Sequence, residues 1–436
     1  MTTASTAPPR DPAAFSLLDA DILAFIEADD PDPGAFDALA LRLFTHQFES
    51  NPAYRRYCLA RKATPGRVRH WTGIPAVPLT AFKQLTLATF PPEDAQAVFM
   101  TSGSTDPSTR GRNHHPHLSL YDASLIRSFR DQFLPQTTGP QPTDSQSPVP
   151  QTTHAAADTG SIRLLVLNPP RAQAPHSSIA HFFSTLVEQF GTPDSRHLVH
   201  DGTLDVAAAI SACADAEARN EPLAILGTSF SFVHLLDAMA AADRSFRLPP
   251  GSRVLDTGGF KGKSRDVSAT ELRHDLSQRL GVPAHLCRNY YGMTEISTQY
   301  YDRAPLVASP TAPTAGGISQ PGDHTEDGAL TPGERAKVVP HWARLVVVDP
   351  LSRQPVPHGE PGLLMHMDLA NIGSCMAVLS DDLGWAIGPE PGSTALGTAD
   401  VVLRGRAAGT EARGCSLALD EILSANRTST SAEDRR

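Results

Sequence analysis

The residues best suited to chemistry lie in short loops that follow apolar runs. The first such loop consists of Thr101, Ser102, Gly103, Ser104 and Thr105. Hydroxyl groups and backbone N–H groups of a glycine-containing loop can converge on a phosphate. The GxxxxGK[ST] spacing of P-loop NTPases is missing. By itself, the string therefore predicts either a phosphate-binding loop of another kind or an ordinary Ser/Gly loop.

A second loop combines an aromatic, a hydroxyl and a carboxylate. It contains Tyr291, Gly292, Thr294 and Glu295 and follows another apolar run. An aromatic ring can stack on a base, a hydroxyl can hold an α-phosphate, and a carboxylate can ligate Mg²⁺. The alternative is a glycine-containing turn flanked by core aromatics. The presence of both loops in one chain favours a nucleotide site.

Two further strings could complete such a site. Gly258 and Gly259 would permit close approach of the backbone to a flat ligand, or they form a glycine-rich turn beside solvated lysines. Asp382 could hold ribose hydroxyls and Arg406 could reach a phosphate. Acidic turns of this kind are also common on ordinary surfaces.

Cys415 is the candidate nucleophile. It follows Arg413 and precedes a predicted helix, and both features favour a reactive thiolate. The alternative is a small, buried, apolar residue, which is what most free cysteines are. The histidines, among them His114 and His115, lack partners at metal-ligand spacing, and we expect them at the surface.

Composition excludes several classes of protein. The chain has 436 residues, a formal net charge of −10 and no basic block, so nucleic acid is not an expected partner. No run of about 18 apolar residues predicts a membrane span, and the first residues do not resemble a secretory signal. The five cysteines are widely spaced without a CxxC pair, which indicates reduced thiols and a cytoplasmic location. The oligomeric state is not determined by these patterns.

The apolar pattern predicts an α/β fold. Strand-like runs at Arg163–Leu167 and Leu223–Leu226 alternate with helical runs at Pro175–Phe190 and Ser229–Ala241, which is typical of a largely parallel sheet. In open α/β sheets, ligands bind at the carboxyl ends of the strands. We therefore expect the loops described above to form one cleft.

The sequence pattern also divides the chain into two parts. We predict an α/β body over 13–340 and a β-rich subdomain with a short C-terminal segment over 341–425. Segments rich in Pro, Gly, Ser and Thr cannot bury enough apolar area to offset their ordering entropy. They are predicted to be disordered insertions at 135–160 and 308–333, with disordered tails at 1–12 and 426–436.

Taken in order, these strings resemble the adenylate-forming superfamily of acyl-CoA ligases, luciferases and peptide-synthetase adenylation domains. One branch, the acyl-protein synthetases of bacterial luminescence operons, is more similar still. The resemblance runs from about Phe36 to Leu423. It rests on the strings IPAVPLTAFK, TGGFKG, YYGMTEISTQYYD, DLANIGS and RGCSLALDE.

The resemblance implies an enzyme that activates a carboxylic acid, in that branch a fatty acid, with ATP and Mg²⁺. Thr294 would contact the α-phosphate, Glu295 would hold Mg²⁺, and the acyl group would move to Cys415. Tyr291 and the glycine pair would flank adenine, and Asp382 would bind ribose. In that branch a reductase partner accepts the acyl group.

Two departures and two alternatives accompany the resemblance. The phosphate loop continues with Asp106–Arg110 instead of Gly and Lys, and the sequence after Arg406 is too short for the family's C-terminal lid with its lysine. One alternative is a ligase that delivers the acyl group to coenzyme A or a carrier-protein thiol. The other is a non-catalytic, acyl-adenylate-binding scaffold of a reductase complex.

Overall fold

Two six-stranded sheets form the framework of the described part of the chain. The computed structural model describes residues 16–32, 34–102, 110–134, 160–258, 267–303, 334–387, 396–407, 420, 422–424 and 426. Its helices are α1 (Leu17–Glu27), α2 (Ala35–Ser50), α3 (Pro52–Ala60), α4 (Ala81–Gln84), α5 (Ser119–Gln132), α6 (Ser178–Phe190), α7 (Val206–Arg219), α8 (Ser229–Ala241) and α9 (Ala269–Leu280). Its strands are β1 (Val77–Pro78), β2 (Ala97–Met100), β3 (Arg112–His115), β4 (Arg163–Leu167), β5 (Arg196–His197), β6 (Val199–His200), β7 (Thr203–Leu204), β8 (Leu223–Thr228), β9 (Arg253–Thr257), β10 (Cys287–Tyr291), β11 (Tyr300–Tyr301), β12 (Ala336–Lys337), β13 (Ala343–Val348), β14 (Gly362–Asp368), β15 (Ala377–Ala386) and β16 (Val401–Arg406).

The first sheet is largely parallel, as the sequence predicts. Its strand order is β11-β10-β9-β8-β4-β5, and β11 alone runs antiparallel to its neighbour. All five residues of β4 are buried, because helices cover both faces of a sheet of this kind. The alternation of strands and helices confirms the α/β class.

Local signals place the helix that precedes β10. The Ser268 hydroxyl accepts a hydrogen bond from the Glu271 N–H at 3.1 Å, and the Glu271 carboxylate accepts one from the Ser268 N–H at 2.9 Å. Helix α9 ends at Gly281, whose φ of 69° lies in the left-handed region. A Cβ at this glycine would lie 2.8 Å from the Arg247 Cα, so the backbone requires glycine here.

The second sheet is mainly antiparallel. Strands β12, β16, β15, β14 and β13 follow one another in space, and β1 pairs with β15 in parallel. The sheet thus includes two short strands that precede residue 341. Helices α1 to α3 pack against it in one apolar core that contains Phe36, Leu43, Tyr54, Leu345 and Val378. The N-terminal helices and the β-rich part of the chain are therefore stabilised by the same buried surface.

A buried polar cluster, the sheet junction, connects the two sheets. The Lys337 amino group donates to the Asp302 carboxylate at 2.8 Å and to the Asn289 side-chain oxygen at 2.6 Å. Asn289 in turn donates from its amide to Asp256 at 2.8 Å. Lys337 and Asp302 are almost fully buried. Because Asp256 and Asn289 belong to β9 and β10, the junction fixes the strands from which the predicted site loops emerge.

Most of the predicted insertions and tails lie outside the described residues. Gly160 and Asn426 are exceptions, and Asn426 is buried against α3 with hydrogen bonds to its neighbours. None of the helices that the structure describes is long and apolar enough to span a bilayer.

Candidate active site

The loop after β10 is the centre of the candidate site, and hydrogen bonds to the buried Asp368 carboxylate fix its backbone. Asp368, at the end of β14, accepts hydrogen bonds from the backbone N–H groups of Ser297 and Thr298 at 2.7 and 2.9 Å. It also accepts one from the Thr298 hydroxyl at 2.8 Å. Asp368 is fully buried, and burial raises its pKa. The aspartate therefore serves to shape the loop and does not reach solvent.

Two buried amides fix the backbone of the residues expected to do chemistry. The Asn113 side chain donates to the Thr294 carbonyl at 3.0 Å, and the Asn371 side chain donates to the Glu295 carbonyl at 2.9 Å. Both amides are fully buried. Sequence reasoning missed both roles. Asn371 lies in the string DLANIGS and could have been noticed there, whereas Asn113 has no distinguishing spacing.

Glu295 is a buried carboxyl group close to positive charge. Its side chain is 4% exposed, and burial raises its pKa to about 7, while the charges of Lys83 and Arg406 favour the ionised form. Among the described residues, no basic side chain forms a salt bridge with it within 4 Å. An ionised carboxylate in this environment would be stabilised by a cation. A single carboxylate completed by phosphate oxygens and water suits Mg²⁺, so the residues fit that ion.

Tyr291, Asp382 and Arg406 meet at one edge of the site. The Tyr291 hydroxyl donates to Asp382 at 2.7 Å, and the Arg406 Nε lies 3.7 Å from the other carboxylate oxygen. Asp382 and Arg406 are opposite each other in the β15–β16 pairing. Behind Tyr291, the buried His366 lies 3.5 Å from its hydroxyl, and burial lowers the pKa of this histidine to about 3. A neutral imidazole thus supports the tyrosine.

The string Thr101–Thr105, here called the hydroxyl-rich loop, directly follows β2 in the β2–β3 hairpin. Thr101 and Gly111 close its base, since the Thr101 N–H donates to the Gly111 carbonyl and the Gly111 N–H donates to the Thr101 hydroxyl, both at 2.9 Å. Ser102 is described, whereas Gly103, Ser104 and Thr105 lie outside the described residues. The predicted phosphate contacts of those three residues stay predictions.

Lys83 is a site residue that sequence reasoning did not single out. It lies at the end of α4, and its side chain is close enough to Gly111 that a Cβ there would be 3.5 Å from the Lys83 Cγ. Its charge also favours ionisation of Glu295. The exposed lysine therefore lies between the hydroxyl-rich loop and the buried carboxyl. Lys83 is the last residue of the string IPAVPLTAFK, which could have drawn attention to it, but nothing in that string indicates that its charge acts on Glu295.

The described glycines of the site leave open space. Among the described residues, a Cβ on Gly258, directly after β9, would meet only the Asn289 side-chain nitrogen, at 3.9 Å. A Cβ on Gly292 would meet the Tyr290 ring at 3.5 Å, an ordinary contact. The protein's own packing does not require glycine at either position, which is consistent with close approach of a ligand. Gly259 lies outside the described residues.

The expectation that the histidines are at the surface was wrong for four of the described ones, since His181 and His366 are buried as well as His114 and His115. His114 and His115 are 8% and 3% exposed on β3, where His115 packs against Phe99 and Tyr121. Burial lowers the pKa of His115 to about 3. Within the described ranges, no three His, Cys, Asp or Glu side chains are grouped to hold a metal ion. His114 and His115 are packing residues in the strand after the hydroxyl-rich loop.

Comparison with known structures identifies the fold. A 2-hydroxyisobutyryl-CoA ligase solved in an open conformation with 2-HIB-AMP and CoA matches with a TM-score of 0.52 and 12% identity, over 85% of this chain and 69% of that chain. The same ligase in its thioesterification state matches with a TM-score of 0.52 and 14% identity, over 86% of this chain and 68% of that chain. The chain has the fold of the adenylate-forming, acyl-CoA synthetase-like enzymes.

A curated relative supports the narrower resemblance. A stretch of 92 residues is 29% identical to the long-chain-fatty-acid–luciferin-component ligase of Vibrio harveyi. The stretch covers 21% of this chain and 24% of the relative, so the match spans about a quarter of the relative's length. No protein-family model matches the sequence. The resemblance to luminescence-type acyl-protein synthetases, stated from the motifs, agrees with this relative.

Proposed function

We propose that the protein is an AMP-forming ligase that activates a carboxylic acid, of the fatty-acid class, as an acyl-adenylate and transfers the acyl group to its own Cys415. The main support is the convergence of Lys83, Glu295, Asp382 and Arg406 around the loop after β10. The fatty-acid class is suggested by the name of the Vibrio harveyi ligase.

The first half-reaction would be adenylation. The substrate carboxylate attacks the α-phosphorus of ATP, the bond to the β-phosphate bridging oxygen breaks, and pyrophosphate leaves. Such reactions depend mainly on positioning and on positive charge near the phosphates. Lys83 would supply this charge beside the hydroxyl-rich loop, and Thr294 would hold the α-phosphate through its hydroxyl. Arg406 lies beside Asp382, and its charge also acts on Glu295.

The remaining side chains would bind the nucleotide. Asp382 would accept hydrogen bonds from the ribose hydroxyls, Tyr291 and Gly258 would flank the adenine, and Glu295 would hold Mg²⁺. The metal, when bound, neutralises charge on the phosphates. Because Glu295 has a pKa near 7 in the unliganded protein, binding of the metal would also displace a proton from part of the population.

The second half-reaction would need a reactive thiol, and the described cysteines do not provide one. Cys58, Cys213, Cys287 and Cys375 are all buried, and burial raises the pKa of the first three to about 12. A thiol with such a pKa is a poor nucleophile at neutral pH. Cys415 lies outside the described residues and is the remaining candidate. Its thiolate would attack the acyl carbonyl, AMP would leave, and a thioester would form.

The test follows both half-reactions in one preparation. Cys415→Ser should retain carboxylate-dependent exchange of labelled pyrophosphate into ATP, because adenylation precedes transfer. It should lose hydroxylamine-labile acyl label from the protein, since an alkoxyl is far less nucleophilic than a thiolate. Cys213→Ser is the matched control and should keep both activities. Label that persists in Cys415→Ser would refute Cys415 as the acceptor and leave adenylation standing.

The same assay separates the other candidates. Label that appears on added coenzyme A or a carrier protein, and not on the enzyme, would identify a ligase with a free thiol acceptor. Absence of exchange with every acid tested would favour a non-catalytic scaffold. If the protein is labelled, an external acceptor must take the acyl group, and we propose a reductase-type protein in the cytoplasm for this role.

A further inference from the structure

Four side chains form a row of hydrogen bonds that ends at Asp382, here called the polar row. The Tyr300 hydroxyl lies 3.2 Å from the His366 Nδ1, and the His366 Nε2 lies 3.5 Å from the Tyr291 hydroxyl. That hydroxyl donates to Asp382 at 2.7 Å. Tyr300 and His366 are fully buried. The two tyrosines belong to the first sheet and the other two residues to the second, so the row alternates between the sheets.

The donors and acceptors of the polar row define one tautomer of His366. A tyrosine hydroxyl has a single proton to donate, and Tyr291 directs it at Asp382. Its oxygen can therefore only accept from the His366 Nε2, so this nitrogen has the ring proton. Because burial lowers the pKa of His366 to about 3, the ring has no second proton. The Nδ1 atom consequently accepts from the Tyr300 hydroxyl.

Every donor in the polar row thus points toward Asp382. Hydrogen bonds aligned in one direction polarise one another. The bond from His366 also restrains the Tyr291 hydroxyl, whose proton could otherwise rotate away from Asp382 about its C–O bond. Ser380 forms a further hydrogen bond with the Tyr291 side chain. Loss of His366 should therefore weaken the restraint without abolishing it.

We propose that His366 is a positioning residue for ribose recognition, because it holds Tyr291 in the orientation that fixes the Asp382 carboxylate toward the ribose hydroxyls. This inference rests on the proposed function, in which Asp382 binds ribose. A fully buried imidazole does not itself reach the nucleotide. Its effect should therefore depend on the ribose hydroxyls, which a general loss of packing would not.

The experiment measures the Kd of ATP and of 2′,3′-dideoxy-ATP by titration calorimetry, without a carboxylic acid. In His366→Leu, which removes both ring nitrogens, the affinity for ATP should fall about fivefold to tenfold, while that for dideoxy-ATP stays within about twofold. His366→Gln should restore ATP affinity to within about threefold of wild type, since its amide can donate in place of Nε2. His115→Leu is the matched control.

The control removes another buried imidazole, which packs against Phe99 and Tyr121 and does not belong to the polar row. It should leave the ratio of the two Kd values unchanged. Equal losses for both nucleotides in His366→Leu, or an unchanged ratio, would show a merely structural role and overturn the inference.

The tautomer gives a second readout that does not depend on how well a variant folds. Nitrogen–proton NMR correlation spectra of the unliganded wild type should show the His366 proton on Nε2, the signal being assigned by its loss in His366→Gln. A proton on Nδ1 would overturn the inference. Wild-type protein that prefers ATP to dideoxy-ATP but does not exchange pyrophosphate would refute adenylation alone, whereas equal binding or no binding of the two would overturn the role of His366.

Discussion

Side chains in the site differ in what restrains them. Tyr291 and Asp382 are hydrogen-bonded to each other, so both have fixed positions before any ligand binds. Glu295 and Lys83 have no salt-bridge partner within 4 Å among the described residues. Because these two side chains form no salt bridge of this kind, they can interact with a bound ligand without first breaking one. The first predictions concern such residues.

Gly258→Ala separates a role in ligand binding from a role in packing. Among the described residues the added methyl would meet only the Asn289 side chain, at 3.9 Å, so the melting temperature should change by less than about 2 °C. If adenine approaches this backbone, the KM for ATP should rise about tenfold or more. Thermal melting and pyrophosphate exchange measure the two effects. A loss of stability with an unchanged KM would contradict the assignment.

Lys83→Met should slow adenylation. The substitution keeps most of the aliphatic stem and removes the charge between the hydroxyl-rich loop and Glu295. We expect the exchange rate to fall about tenfold to a hundredfold. The loss should be smaller than that caused by removing a buried charge-stabilising group, because Lys83 is exposed. Lys62→Met makes the same change in net charge at an exposed position after α3 and should leave the exchange rate unchanged. Similar losses in both variants would point to a general electrostatic effect.

Glu295 should make stability depend on pH in a defined direction. Burial raises its pKa in the folded protein from 4.5 to about 7, so the folded state retains a proton that the unfolded chain has lost between these values. The wild type should therefore lose stability relative to Glu295→Gln as the pH rises from about 4.5 through 7, by up to on the order of 3 kcal/mol. Denaturant titrations of both proteins at several pH values test this, and parallel profiles would contradict it.

At the scale of elements, the site depends on where two sheets meet. The carboxyl ends of β9 and β10 supply Gly258 and the loop after Tyr291, while β15 and β16 supply Asp382 and Arg406. The sheet junction holds the two sets together through Lys337. A buried pair of this kind is costly to break because the remaining charge stays desolvated.

Lys337→Met should therefore destabilise the protein. Asp302 would stay buried with Arg335 and Arg273 at 3.7 and 4.0 Å but without its close amino partner. We expect a loss of about 3 kcal/mol in the free energy of unfolding. The double variant Asp302→Asn/Lys337→Met should recover part of the loss, and urea titrations measure both. Additive losses would show that the two residues are not coupled.

The sequence predicts those elements whose signals are local. Strand β4 is specified by its apolar run, and helix α9 is specified by its capping box and terminal glycine. The α/β order of the elements places the site loops at strand ends. The pairing of β1 with β15 joins Val77 to Val378, and a two-residue strand has no periodicity to reveal such a partner. The amide contacts of Asn113 and Asn371 also join residues far apart in sequence. Asn371 lies in a recognisable string, but the contact that Asn113 makes has no local signal and could not be predicted.

In the described part of the molecule, a largely parallel sheet and a mainly antiparallel sheet meet at the candidate site, and Ile422 and Asn426 are attached to the N-terminal helices. The fold is that of adenylate-forming enzymes, while the activity and the Cys415 acceptor are proposals. An acyl-adenylate-forming enzyme must convert ATP and a carboxylic acid reversibly to acyl-AMP and pyrophosphate, independently of the final acceptor.

The most direct measurement is incorporation of labelled pyrophosphate into ATP by the wild-type chain, with Mg²⁺ and a panel of carboxylic acids from short to long chain. We predict that exchange requires both the metal and at least one acid of the panel. In correctly folded Glu295→Gln, the exchange rate should fall at least a hundredfold. Folded wild-type protein that shows no acid-dependent exchange with any member of the panel would contradict the account.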